Sequence, residues 1–514
     1  MTSYTGILST VEGITVQDKS AFIEAVCHLF ERLNQSGIRY CHWKSNLRLE
    51  RSLRGQTDLD LLVDRQYEED FKRILVEYDI RPFLAPIGKR YPSIEDYLGF
   101  DHASGKLFHL HVHYQLVLGE QFVKNYRLPL EEKFLDHTRI RHGVKIPVPE
   151  LELIVLSIRA LLKYRDRDVI KDVLSIRSSG IPSQILEEIH WLLEQTSMEN
   201  IANHLTEIAD LVPADLIVAF LNTVTQNPRA GYQLYTLRKR LRSDFGRYQR
   251  RNHLFSSINY YREAWRRQKS WTRFTPPKGM VLYNTGRTLA LVGADGAGKS
   301  TISQEIAQWL SWKLDVHVYY LGSKQPSWIS SFLYLLFRGF RRGHRAISTR
   351  IGENRSISRW IETMRQIFLY GHYLSIGNDR YRRYQAGRKY AEKGSIVIFD
   401  RFPLKAPLDG PQIYSSGNGH MGTIGRVFSR LEQNLYRKFQ FPDYIIILNV
   451  SPEVSIRRKP DHKQTAVEQK NLVLQEWTAN YEAQVDDCRL ISINAELSLE
   501  EVLVCIKEQI WERL

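Results

Sequence analysis

Cysteine is scarce in this chain of 514 residues: Cys27, Cys41, Cys488 and Cys505 stand far apart and in no metal-type spacing. That excludes a disulfide scaffold and a cysteine-based zinc module, and fits a reducing compartment. Long apolar runs are missing as well. A bilayer-spanning helix needs roughly 20 apolar residues, whereas Ile329 to Phe337 is nine residues long and contains two serines. The first twenty residues lack a basic start followed by an apolar core, so no secretory signal is read and a cytoplasmic location is expected. Internal repeats and low-complexity tracts are also absent. Acidic residues fall short of basic ones, 57 against 72, leaving a net charge of +15. Much of that excess sits between Arg238 and Lys278, where only Asp244 and Glu263 oppose a run of arginines and lysines.

The length implies two or three domains of about 100–200 residues each. Residues 1–145 mix helical spacing, as in Phe22, Ile23, Val26, Cys27, Phe30 and Leu33, with strand-like runs at 38–43 and 59–63. Tyr97 to Asp101, a turn at Ala103-Ser104-Gly105, and Leu107 to Leu116 read as a hairpin, so the segment is α+β. Residues 146–280 turn helical, with Leu151, Ile154, Val155, Ile158, Leu161 and Leu162 on one face, and end at Pro276-Pro277. Residues 281–514 alternate strands (395–399, 444–450, 490–493) with helical stretches, which predicts an α/β domain whose parallel sheet is covered by helices.

The sharpest motif opens that third segment. Gly293-Ala294-Asp295-Gly296-Ala297-Gly298-Lys299-Ser300-Thr301 follows an apolar run and precedes an amphipathic one, 301–310. Glycines at 293, 296 and 298 let successive backbone N–H groups wrap a phosphate at a helix N-terminus already favourable to anions. Lys299 would reach the β and γ phosphates of ATP, and Ser300 would hold Mg²⁺. Downstream, Asp400-Arg401-Phe402-Pro403 closes a predicted strand at the carboxyl edge of the sheet, where such sheets bind ligands. Asp400 can join the magnesium shell and Arg401 can neutralise a phosphate; a strand-end salt bridge is the plainer alternative. Pro442-Asp443 then introduces a strand ending Leu448-Asn449-Val450-Ser451-Pro452-Glu453, followed by Arg457, Arg458 and Lys459.

These residues resemble the thymidylate kinase family of nucleoside monophosphate kinases, over roughly 287–514. The resemblance implies a P-loop kinase that uses ATP and Mg²⁺ and a phosphorylated small-molecule acceptor. It implies an acceptor-phosphate contact for Arg401 and a lid role for Arg458. Asp295, Lys299, Asp400, Arg401 and Arg458 are therefore the candidate catalytic residues. The chain departs from the family where Pro403 to Pro411 replaces the usual Ser and Ala-Tyr-Gln of the nucleoside pocket. It departs also at Asn449 and Asn494, which stand for Asp, and in an insertion over 323–376. "Kinase" is thus read more firmly than "thymidylate".

In the first segment, Asp58-Leu59-Asp60 places two carboxylates on one strand face, suited to sharing divalent metal ions. Lys44-Ser45 lies upstream, and Phe108-His109-Leu110-His111-Val112-His113 puts three histidines on one face downstream. The combination resembles the nucleotidyltransferase superfamily signature over roughly 39–113, with Lys44 in place of a glycine. The resemblance puts His111 where the third carboxylate belongs, with Asp101 as an alternative. Two readings of the histidine row stay open, a metal-bearing face and a hydrogen-bonded sheet face.

Arg238 to Arg273 interleaves arginines with Phe245, Tyr248, Phe255, Tyr260, Tyr261, Trp265 and Trp271. It reads either as a surface for an anionic partner, nucleic acid or membrane, or as an amphipathic connector. Trp328 to Arg345 has an interfacial-helix composition, equally expected of an insertion over the kinase pocket. The expectation is a cytoplasmic fusion, with a membrane-peripheral location as the alternative, that forms a homo-oligomer and joins a nucleotidyltransferase-like domain, a helical linker and a P-loop kinase. Two rivals are an adenylylating enzyme whose kinase fold only senses nucleotide, and a nucleic-acid-binding or end-phosphorylating protein.

Overall fold

The computed structural model describes residues 22–514 except 87–88, 121–122, 165–180, 228–230, 252–254, 256–257, 259, 263–264, 266–276, 351–354, 405–407, 414–421, 459–463 and 483–488. The chain divides into two compact units, Met1–Pro276 and Pro277–Leu514.

The first unit is built on a five-stranded mixed sheet. Its strands are β1 (Tyr40–His42), β2 (Leu59–Val63), β3 (Arg81–Phe83), β4 (Ile94–Asp101) and β5 (Lys106–His113), in the order β1-β2-β5-β4-β3. Only β2 and β5 run parallel; β4 and β5 form the expected hairpin, with Asp101 opposite Lys106. The period-two alternation assigns the faces. Leu59, Leu61 and Val63 of β2, with Phe108, Leu110 and Val112 of β5, pack against α1 (Glu24–Gln35) and α2 (Glu68–Glu77) through Val26, Leu29, Phe30, Leu33, Phe71, Ile74 and Leu75. The opposite face carries Asp60, His109, His111 and His113, and is therefore polar.

At the margin of that polar face begins a second core. Cys41, Trp43 and Leu62 join α3 (Pro149–Lys163), α4 (Ser183–Leu193), α5 (Met198–Glu207), α6 (Ala214–Gln226) and α7 (Gly231–Asp244) in one hydrophobic cluster. The helix α3 starts on Pro149, whose fixed φ suits the first turn and whose missing N–H is no loss there. It is apolar almost all round and correspondingly buried, apart from Arg159 and Lys163. Those two cations are four residues apart and so share a face.

The second unit is an all-parallel five-stranded sheet. Strands β6 (Arg287–Gly293), β7 (Val316–Tyr320), β8 (Ile396–Asp400), β9 (Tyr444–Asn449) and β10 (Leu490–Asn494) lie in the order β7-β8-β6-β9-β10. Helices α8 (Lys299–Ser311), α9 (Trp328–Arg350), α10 (Arg355–Ala391), α11 (Thr423–Tyr436), α12 (Pro452–Arg458), α13 (Gln464–Glu482) and α14 (Leu499–Arg513) connect and flank them. The α/β fold with a parallel sheet expected for this half is what is observed. Central strands β6, β8 and β9 read as near-continuous apolar runs because both faces are covered, and they are buried almost throughout. The order reverses at β6, which pairs with β8 on one side and β9 on the other. A crevice at the carboxyl end of β6 follows from that reversal. Asp443 fixes the opposite end by accepting the Thr288 N–H and hydroxyl, both at 2.7 Å.

Candidate functional site

The loop after β6 turns on two glycines in the left-handed region, Gly296 at φ 93° and Gly298 at φ 86°. At Gly296 an added Cβ would lie 2.7 Å from the Ser455 carbonyl oxygen; at Gly293 it would lie 2.7 Å from that of Leu448. Both glycines are thus demanded by close backbone approach. Gly298 caps α8 without a side-chain hydrogen bond, which leaves first-turn N–H groups of that helix to an anion. Ala294 and Ala297 are buried, and Thr301 is exposed in the first turn of α8.

Lys299 is buried, and its Nζ donates to Gly293 O at 2.9 Å and Ala294 O at 2.6 Å. Burial, then the neighbouring charge of Arg401, lowers its ammonium pKa to about 8, against the pull of Asp295 and Asp409. Ser300 Oγ donates to Asp400 Oδ2 at 2.9 Å. The other carboxylate oxygen, Asp400 Oδ1, is buried with no hydrogen-bond partner. A hydroxyl and a carboxylate side by side, one oxygen unsatisfied, form an all-oxygen donor set that suits Mg²⁺.

Asp295 gathers three cations. Its Oδ1 lies 3.1 Å from Arg401 Nη2 and 3.9 Å from Lys299 Nζ, and its Oδ2 accepts from Lys470 Nζ on α13. Burial alone would raise the carboxyl pKa, but the Lys470 hydrogen bond and the charges of Lys299, Lys470 and Arg401 hold it far below the usual carboxylate range. Arg401 stands at φ 72°, a strained value for a non-glycine residue, immediately after β8. Its Nη1 reaches Asp409 Oδ2 at 3.1 Å, and Asp409 Oδ1 in turn binds Arg380 Nη2 at 3.1 Å. Burial lowers the Arg401 pKa, but Asp409, Tyr320 and Asp295 raise it further, so the guanidinium stays charged.

The structure therefore brings together Asp295, Lys299, Ser300, Asp400 and Arg401. Arg458, at the end of α12, instead donates to Ala495 O at 2.8 Å; Lys459 lies outside the described residues. Lys470, Asp409 and Arg380 escaped sequence reasoning, because each meets its partner only through tertiary folding. The insertion at 323–376 supplies α9 and the first half of α10, with Trp328, Phe332 and Leu335 exposed. Of the basic–aromatic stretch, Arg238 and Phe245 are buried while Phe255, Tyr261 and Trp265 are exposed; Trp271 and Arg273 are outside the described residues.

In the first unit the polar sheet face is crowded. Asp58 Oδ1 meets His109 Nδ1 at 2.8 Å, and His109 Nε2 meets Asp96 Oδ1 at 3.0 Å. Asp60 Oδ1 meets His111 Nδ1 at 2.9 Å and Lys44 Nζ at 2.7 Å. Burial raises the Asp60 pKa, but Lys44 and His111 outweigh it and keep this carboxyl well below its usual range. Burial, then the charge of Lys44, pushes the Lys124 ammonium down to about 7; burial, then Arg159, pushes Lys163 down to about 8. Asp96 follows from the register that sets it opposite His111. Asp101 lies elsewhere, accepting from Ala25 N–H at 3.2 Å and Ser104 N–H at 2.9 Å. Ser45, at φ 61°, turns the chain after β1 toward Asn46, whose N–H and Nδ2 donate to the buried Glu152 at 3.0 and 2.8 Å.

Comparison with known proteins bears on the second unit. Residues 348–506 match the thymidylate kinase family model, a span that holds Asp400, Arg401 and Arg458 and begins after the phosphate loop. Two proteins of Escherichia coli strain K12 are similar in sequence. The uncharacterized ATP-binding protein YghS is 29% identical over 205 residues, 38% of this chain and 82% of YghS. The uncharacterized ATP-binding protein YghR is 26% identical over 226 residues, 42% of this chain and 83% of YghR. Among solved structures, deoxyadenosine kinase from M. mycoides with bound dCTP aligns at 19% identity and a TM-score of 0.27, over 43% of this chain and 98% of that one. In its C-terminal half, at residues 348–506, the chain carries a match to the thymidylate kinase family model.

Proposed function

We propose that the second unit is a Mg²⁺-ATP-dependent phosphotransferase that moves the γ-phosphoryl group to a nucleoside monophosphate or a related phosphorylated small molecule. The observation that carries this reading is the joining of Ser300 to Asp400, with Asp400 Oδ1 buried and unpartnered, beside the loop lysine. Ser300 and Asp400 would hold Mg²⁺, which supplies charge neutralisation on the phosphates. Lys299 exchanges its carbonyl partners for phosphate oxygens, and the uncapped start of α8 receives the remaining charge. Arg401 offers a guanidinium edge, now shared between Asp295 and Asp409, to the acceptor phosphate.

In the transfer, an acceptor phosphate oxygen attacks the γ-phosphorus, and the bond from that phosphorus to the ADP oxygen breaks. An ionised acceptor oxygen needs no general base, so positioning and charge neutralisation suffice. The acceptor is left as a class because 405–407, in the segment that would shape the nucleoside pocket, lies outside the described residues. In the same proposal the chain is a fusion, with a nucleotidyltransferase-like domain at its start, supported by Asp58 and Asp60 emerging beside Lys44 and the histidine row. ADP release from purified protein, measured against a panel of nucleoside monophosphates and sugar phosphates, identifies the acceptor. Lys299→Ala is expected to abolish ATP turnover in that assay; undiminished turnover would overturn the reading.

A further inference from the structure

The polar face of the first sheet divides its three histidines into two sets with different chemistry. His109 spends both ring nitrogens on carboxylates, Nδ1 on Asp58 and Nε2 on Asp96. This set is closed. The other set is not. His111 Nδ1 lies 2.9 Å from Asp60 Oδ1 and 3.2 Å from His113 Nε2. One ring nitrogen carries at most one proton, so it cannot satisfy both neighbours fully. His113 is fully buried, and its Nδ1 has no hydrogen-bond partner, so the tautomer of this ring rests on the contested His111 Nδ1 alone.

A cation shared by the three atoms resolves the conflict. Asp60, His111 and His113 each offer one ligand atom, all within 4.8 Å of one another. For a tetrahedral ion with bonds of about 2.0–2.1 Å, ligand atoms sit about 3.3 Å apart. Two edges of the triangle, 2.9 and 3.2 Å, already match that spacing. The third edge is no longer than 4.8 Å. The donors are two imidazoles and one carboxylate, a set that suits zinc, iron, nickel and copper, whereas Mg²⁺ prefers oxygen throughout. The paired magnesium ions that two bare carboxylates would serve do not suit a face on which Asp58 is committed to His109.

We propose that Asp60, His111 and His113 form a binding site for one borderline divalent transition-metal ion of the Zn²⁺ class, with Asp58 outside the ligand set. Lys44, whose ammonium lies 2.7 Å from Asp60 Oδ1, yields that oxygen when the ion enters. Three protein ligands leave at least one coordination position open, as catalytic rather than closed structural sites do. Lys44, Lys124, Arg159 and Lys163 are the cations around this face, and Asp58, Asp96 and Glu188 its acidic neighbours. The site is separate from the kinase reaction proposed above and stands or falls without it.

The test uses the full chain, stripped with chelator, re-dialysed against Zn²⁺ or Co²⁺ alone without nucleotide, and then measured for metal content. Wild-type protein is expected to retain about one ion, with a Co²⁺ visible spectrum of low coordination number. Asp60→Asn and His111→Gln should each weaken retention by at least about tenfold, the lower end of what even outer-sphere changes do. Asp58→Asn should retain the ion. Circular dichroism establishes that each variant is folded. Should the variants not fold, X-ray absorption of the zinc-loaded wild type decides by counting imidazole ligands. No retained ion, an oxygen-only ligand shell, undiminished retention by His111→Gln, or equal loss in Asp58→Asn and Asp60→Asn would each overturn the proposal.

Discussion

Replacing Gly296 and Gly298 one at a time by alanine separates two physical effects that a phosphate loop combines. Both residues have φ near +90°, where a side chain costs about 1–2 kcal/mol whatever the space around it. At Gly298 the added Cβ would find only Ile302 Cδ1 at 3.6 Å and Cγ1 at 4.0 Å, ordinary contacts. At Gly296 it would lie 2.7 Å from the Ser455 carbonyl oxygen, a backbone atom that moves only with α12. Such overpacking adds about 1–3 kcal/mol. The strain depopulates the binding-competent loop, and apparent affinity falls by the same factor. At about 1.4 kcal/mol per decade, Gly298→Ala should weaken ATP binding roughly 5- to 30-fold and Gly296→Ala roughly 30-fold to more than 1000-fold. Titration with a fluorescent ATP analogue measures both. Equal affinities, or a larger loss at Gly298, would refute the steric reasoning and the placement of Ser455 against the loop.

Two further perturbations test the supporting charges. Asp409 holds both Arg380, which is buried, and Arg401, so Asp409→Asn should destabilise the second unit by about 3 kcal/mol, seen as a lower urea midpoint. Asparagine tolerates the φ of 61° at this site as well as aspartate does, so an unchanged midpoint would mean that the charge is not needed. Glu152 is buried, and burial, resisted by its Asn46 hydrogen bonds, raises its pKa from 4.5 to about 7. A carboxyl with a raised folded-state pKa keeps its proton on folding, so stability declines as pH rises from about 4.5 to about 7 and is flat above. The shift corresponds to about 3 kcal/mol as an order of magnitude. Melting of the first unit should therefore show a downward pH trend that Glu152→Gln lacks, and parallel profiles for the two proteins would count against it.

What the sequence disclosed follows a physical pattern. The strands β6, β8 and β9 were legible because buried parallel strands must be apolar on both faces, the edge strand β10 because Leu490, Ile491 and Ile493 form a short apolar run, and the glycine spacing after β6 admits few conformations. The period-two reading of 108–113 placed three histidines on one face, as observed. Strand β7 is hard to read, although Val316, Val318 and Tyr320 alternate; at an edge position only a short, half-exposed run remains. The insertion at 323–376 gave no firm element because the apolar spacing of α9 and α10 serves their packing on each other as much as on the sheet. Asp96, Asp409 and Lys470 were invisible for a different reason. An ion pair between positions such as Asp295 and Lys470, 175 residues apart, leaves no local signature.

Asp400 and Arg401 are adjacent in sequence yet belong to different conformational worlds, the last residue of an extended strand and a left-handed turn. That single reversal sends the carboxylate back toward Ser300 and the guanidinium sideways toward Asp409. In the proposed reaction, donor-side and acceptor-side duties are therefore partitioned across one Cα–Cα step of about 3.8 Å. The segment downstream of Phe402 can then be rewritten, and acceptor preference with it, while the anchoring of ATP stays as it was.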